Sequence, residues 1–148
     1  MGLTNLSMRV HKYIPNKLYG FVIDNNDYQV FFHLGQFKPF QDQGVILPQP
    51  PPILGEPVMV SFYPTDNGKA PKAISVERLQ KPKQLMGTVD SYDSARGYGF
   101  IMGDDGVSYH LHNSEILNNK FPLHNDKVKF YAGLRLGKPR ACHIEVIR

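Results

Sequence analysis

The feature that most constrains this chain is that it repeats itself. Set against itself, the sequence pairs Val10 with Val89, Tyr13 with Tyr92, Lys17 with Arg96, Tyr19 with Tyr98, Gly20 with Gly99, Phe21 with Phe100 and His33 with His112, always 79 positions apart. A second set, Phe62 with Phe130, Pro71 with Pro139 and Ala73 with Ala141, lies 68 apart. The missing 11 residues (79 minus 68) fall in one place, between His33 and Phe62, where the first copy reads GQFKPFQDQGVILPQPPPILGEP. Strict spacing inside motifs, with a length change confined to one loop, is the pattern of two domains that share a fold. The polar run QKPKQ, Gln80 to Gln84, reads as the linker, so the expected domains are residues 1–80, carrying a proline-rich insertion, and residues 84–148.

Each copy is a series of short β-like runs broken by Gly, Asn, Asp and Pro clusters: Met8 to Tyr13, Leu18 to Ile23, Gln29 to His33, Val58 to Tyr63 and Ala73 to Leu79 in the first, and the same series in the second. Helical periodicity is limited to about one or two turns, from Ser114 to Asn119. Five short strands in roughly 70 residues suit a small closed antiparallel barrel, which leaves no exposed sheet edges. The expected class is all-β.

The barrels must hold by packing alone. The single cysteine, Cys142, can form no internal disulfide and no Cys-rich zinc site, and is read as a small buried hydrophobe. No apolar stretch approaches the roughly 20 residues of a membrane-spanning helix, and no basic-then-apolar leader follows Met1, so a soluble, cytoplasmic protein is expected. Nothing points to a cofactor. His110 and His112 lack a third ligand for a metal, and no nucleophile with a base, phosphate-cradling loop or paired carboxylates suggests an enzyme. The formal charge of +4 favours polyanions. It is unevenly spread: residues 1–83 carry nine basic and six acidic side chains, residues 84–148 eight and seven.

Alternation along the strands places the chemistry. Residues two apart share a face, so Tyr19 with Phe21, and Phe31 with His33, point away from Gly20, Val22, Val30 and Phe32. In the second copy Tyr98, Phe100, His110 and His112 point away from Ile101, Tyr109 and Leu111. If the aliphatic face lines the barrel, each copy presents an aromatic platform to water, a surface that flat partners such as bases would cover. Lys12, Lys17 and Arg96 flank these platforms and are candidates for phosphate contact; Tyr13 and Tyr92, paired by the repeat, complete the candidate set.

These residues carry a family resemblance. KLYGFVI followed by VFFH, and RGYGFIMGDDG followed by YHLH, resemble the paired nucleic-acid-binding motifs of the bacterial cold-shock protein family. GEPVMVSF with NGKAPKAISV, and NDKVKFYAG with GKPRACHIEV, are similar to that family's fourth and fifth strands. The resemblance implies two five-stranded antiparallel OB-fold barrels in tandem, binding single-stranded RNA or DNA with little sequence preference and able to act as an RNA chaperone or antiterminator. The chain also departs from the family. It has no Trp, and the positions matching the family's first-strand tryptophan are Lys12 and Ser91; the second motif's Phe is Phe31 in one copy and His110 in the other; the glycine after the basic residue of the first motif is Leu18 in copy one.

A rival reading makes the protein an adaptor, with the stiff Pro48 to Pro52 segment as a ligand for a protein partner and copy two turned away from nucleic acid by Asp90, Asp93, Asp104 and Asp105. The choice of RNA or DNA and the oligomeric state are left open by the sequence.

Overall fold

A computed structural model describes residues 2–41 and 49–147. The chain divides into two units, Met1–Pro82 and Lys83–Arg148. Unit 1 contains β1 (Thr4–Ile14), β2 (Tyr19–Ile23), β3 (Gln29–His33), the two-residue β4 (Phe37–Lys38), β5 (Pro57–Phe62) and β6 (Ala73–Arg78). Unit 2 contains β7 (Gln84–Asp93), β8 (Tyr98–Gly103), β9 (Ser108–His112), β10 (Lys127–Arg135) and β11 (Lys138–Ile147). The expected turns between Ser114 and Asn119 are two 3-10 turns, Asn113–Glu115 and Leu117–Asn119. Among the described residues no helix is long and apolar enough to cross a membrane.

The repeat is one topology used twice. Unit 2 is a closed barrel in the order β10-β11-β9-β8-β7, with β7 paired back to β10 and the β9–β11 seam made in parallel at His110 and Arg140. Unit 1 runs β3-β2-β1-β5-β6-β4, and its equivalent seam is a parallel bridge between Phe31 and Lys72. Its fold is thus the same all-β barrel, with β4 added beside β6.

Alternation fills each interior as the sequence implies. Met8, Val10, Val22, Val30, Phe32, Val58, Val60, Phe62, Ala73 and Val76 form one buried cluster. Val89, Ile101, Tyr109, Leu111, Val128, Phe130, Ala141, Ile144 and Val146 lie in the other. Fully burying an aliphatic or aromatic side chain of this kind contributes about 1.5–3 kcal/mol, so two cores without staples suffice for folds of this size. Cys142 is buried.

The insertion is bound into unit 1. Arg78 stands where unit 2 has Val146, and it is 2% exposed. Its Nε and Nη2 donate to the Glu56 carboxylate at 2.6 and 2.8 Å, and its remaining donors reach Gln49 Oε1 and the carbonyls of Pro50 and Pro51 at 3.0 to 3.2 Å. Phe37 lies 4.9 Å from its Cζ. A buried charge is tolerated only when paired and hydrogen-bonded, and here every guanidinium donor is used. The described part of the proline segment is therefore a tied-down flank of the barrel; Pro48 lies outside the described residues.

Candidate nucleic-acid interface

The platform is built by a defect in the first strand of each unit. Between Val10 and Lys12, and again between Val89 and Ser91, one extra residue (His11, Asp90) bulges out of the ladder. A bulge reverses the in-out alternation beyond it. Lys12 then faces outward opposite Phe21, and Ser91 opposite Phe100, while Tyr13 and Tyr92 turn inward opposite Gly20 and Gly99. The bulge also presses β1 onto β2 and β7 onto β8. A Cβ on Gly20 or Gly99 would run into the carbonyl of Lys12 or Ser91, so only glycine fits between the two aromatics of each YGF motif.

Tyr13 and Tyr92, candidates by the repeat, therefore lie off the outward platform. Tyr13 packs on the core, its ring 6.5 Å from Phe32 and nearly parallel to it, and burial raises its phenol pKa. Tyr92 also packs on its core and carries Phe121 stacked at 6.4 Å. Strict alternation from buried Val10 and Val89 gives the opposite orientation, because a one-residue bulge leaves no mark in the hydrophobic pattern.

The candidates on β2, β3, β8 and β9 stand where alternation puts them. In unit 1 Tyr19, Phe21 and Phe31 form one aromatic surface with centroids 5.2 Å (Tyr19 to Phe31), 5.6 Å (Phe21 to Phe31) and 6.4 Å (Tyr19 to Phe21) apart. All three are half-buried, with Lys12, Lys17 and His33 exposed. In unit 2 Tyr98 stacks 5.9 Å from His110, Phe100 meets His110 edge-on at 5.6 Å, and His112 follows at 6.4 Å. Here the aromatics are open, Phe100 being 42% exposed. Arg96 donates to the Tyr98 hydroxyl at 3.2 Å and lies 3.8 Å from the Asp93 carboxylate. Both of that pair are exposed, so the contact is weak and leaves the guanidinium available to a phosphate.

The histidines that end the motifs share a second role. His33 Nδ1 accepts the backbone N–H of Gly35 at 3.0 Å, and His112 Nδ1 accepts that of Ser114 at 3.1 Å. With Nδ1 used as an acceptor, the neutral ring carries its proton on Nε2, and a donor is left for an acceptor on a ligand. His110 and His112 both have lowered pKa values, through burial first and then the positive charge of Arg140, with Arg135 adding to it.

Three features of the surface are missed by sequence reasoning. Phe121, 56% exposed, adds an aromatic from the β9–β10 connection; a lone Phe in a polar loop carries no periodic signal. Met102 continues the outward row of Tyr98 and Phe100 along β8, as alternation already implies. Arg140, 5% exposed, is paired with His110 across the β9–β11 seam, and only strand pairing brings the two together. Among the described residues no group of three or more His, Cys, Asp or Glu is placed to hold a metal ion.

With this geometry in place, comparison with known proteins identifies the second unit. A family model described as the 'cold-shock' DNA-binding domain matches residues 85–147. Residues 85–147 are a cold-shock domain. Nucleic-acid binding is thereby given at the level of the family for the matched segment, which carries Tyr98, Phe100, His110 and His112. The cold-shock domain occupies unit 2, and unit 1 repeats its strand order before it. A solved structure described as "drosophila Unr CSD456" is similar at 18% identity with a TM-score of 0.42, over 98% of this chain and 62% of that one; the chain thus spans about three-fifths of that chain's length. No curated protein matches the chain.

Proposed function

We propose that the protein is a non-catalytic binder of single-stranded nucleic acid, with bases stacked on Tyr19, Phe21 and Phe31 in unit 1 and on Tyr98 and Phe100 in unit 2, where His110 adds a polar contact beside them. Lys12, Lys17 and Arg96 contact phosphates, and His33 and His112 donate from Nε2 to base or phosphate oxygens. The observation that carries this reading is the outward aromatic face on a barrel whose core is filled from the opposite face: the platform is surplus to folding. A surface of this kind serves an RNA chaperone, an antiterminator or a protector of single strands in the cytoplasm.

The test is a titration of the full chain with a labelled single strand and with blunt duplex of equal length. Stacking needs unpaired base faces, so the single strand binds tighter; equal or tighter duplex binding overturns the proposal. With about three to five phosphates neutralised at roughly 0.7 per phosphate, log affinity falls by about 2 to 3.5 per decade of salt. A flat salt response removes phosphate contact from the account.

A further inference from the structure

The repeat makes unit 1 an internal control for the seam of unit 2. The third platform position is Phe31 in one and His110 in the other, and the residue that closes the barrel beside it is exposed Lys72 in one and buried Arg140 in the other. Arg140 is poorly compensated. Its one ion-pair partner among the described residues is Glu115, with Nη2 3.9 Å from Oε2, and its buried Nε has no hydrogen-bond partner. A buried cation with one distant carboxylate leaves a positive field at its neighbours.

We propose that His110 is a proton-linked phosphate site of the second barrel, docking a backbone phosphate as its imidazolium with one proton taken from solution, and that Arg140 is the positioning charge paired beside it across the seam. The inference rests on the single-strand reading above. The groups facing His110 are Arg140 on β11, Arg135 in the β10–β11 turn region, and His112 beside it on β9, with the Tyr98 ring stacked from β8. Glu115 faces His112 and pairs with Arg140. His112 Nδ1 accepts the Ser114 N–H at 3.1 Å and lies 2.8 Å from the Ser114 hydroxyl, so the two rings are told apart by following their signals separately. In the free protein burial, and then Arg140, hold His110 neutral. A phosphate brings the negative charge that Glu115 supplies only at a distance, and the ring protonates as the strand docks. By linkage, one coupled proton raises affinity by up to about tenfold per pH unit as pH falls.

The experiment is an NMR titration of the histidine ring signals of the full chain, with and without a saturating thymidine oligonucleotide, together with affinities at about pH 7.5 and about pH 5.5. The expected result is an upward shift of the His110 midpoint on binding and a gain in affinity at low pH that His110→Phe abolishes. In Arg140→Gln the free His110 titrates at higher pH, so the gain shrinks. An unmoved or lowered His110 midpoint in a chain that binds the strand overturns the inference and leaves the single-strand reading standing; absence of binding at either pH overturns that reading itself. An uncharged methylphosphonate oligonucleotide gives no pH-linked gain, and persistence of the gain with it refutes phosphate as the partner.

Discussion

The two barrels share a topology and differ in how each treats its buried arginine. In unit 1 Arg78 meets a carboxylate, three oxygens of the insertion and an aromatic ring, and it fastens the loop to the barrel. In unit 2 Arg140 has one carboxylate at 3.9 Å and lies against the platform. The first arginine is satisfied by its own chain, and the second keeps an unspent field next to the surface where a polyanion would dock. The platforms differ in the same sense: unit 1 has a half-buried trio of carbon rings flanked by lysines, unit 2 a more open surface in which imidazoles replace phenyl.

The largest test of this comparison is Arg78→Val, which gives unit 1 the residue that unit 2 has at Val146. Glu56, 10% exposed, is then left buried without its partner, and unit 1 loses about 3–5 kcal/mol while unit 2 is unchanged. Urea denaturation followed by a probe in each unit checks it. A loss below about 1 kcal/mol would mean that Glu56 relaxes into water and that the clamp does not set the insertion's position.

The platforms are compared through Phe21→Ala and Phe100→Ala. The first is expected to weaken single-strand binding by about 1–3 kcal/mol and the second by less, since unit 1 has three carbon rings and the greater positive charge. Both variants stay folded, because Val22 and Ile101 on the inner face are untouched. If Phe100→Ala is the more damaging, openness of the platform and fidelity to the family motif outrank ring number and charge.

A smaller difference lies in the turn before the second strand of each unit. Leu18 adopts φ 57°, where unit 2 has Gly97 at 76°. A branched side chain costs about 1–2 kcal/mol in this left-handed region, partly offset by glycine's greater unfolded-state entropy. Leu18→Gly should therefore stabilise unit 1 by about 0.5–1 kcal/mol. Gly97→Leu should destabilise unit 2 by more, because a Cβ there comes within 2.6 Å of the Asn113 amide. Thermal or urea unfolding reads both.

The smallest effect is in the pH dependence of the free protein. His110 has a folded pKa below its unfolded one, so the unfolded chain binds more protons and stability falls as pH drops from the unfolded value toward the folded one. Urea midpoints of unit 2 therefore decline across the ordinary imidazole range and below it, and His110→Phe flattens that decline. An unchanged slope in the variant would show that His110 is not held neutral by its surroundings.

What was legible in the sequence follows from which physical patterns are local. Alternation in YGFVI, VFFH, YGFIM and SYHLH places Tyr19, Phe21, Phe31, Tyr98, Phe100 and the histidines on one face and the aliphatics on the other, and the barrels have this arrangement. The repeat gives the same strand series twice, and the five expected strand segments of unit 1 are all occupied by strands. The first begins earlier than alternation marks it, at Thr4, because its start is held by pairing with β5. The bulges at His11 and Asp90 were illegible, and with them the inward turn of Tyr13 and Tyr92. Arg78 and Arg140 read as ordinary surface cations in sequence; their burial depends on Glu56 and Glu115, at sequence distances no periodicity can connect.

The proposed function puts the single strand on the outward faces of β2, β3, β8 and β9. Backbone and ring NMR shifts of the full chain on titration with a thymidine oligonucleotide test it most directly. The predicted result is perturbation concentrated at Lys12, Tyr19, Phe21, Phe31 and His33 in unit 1 and at Arg96, Tyr98, Phe100, His110 and His112 in unit 2, with Tyr63 and Ile74 unmoved. Saturable binding with these platform signals unchanged, and shifts elsewhere, would contradict it.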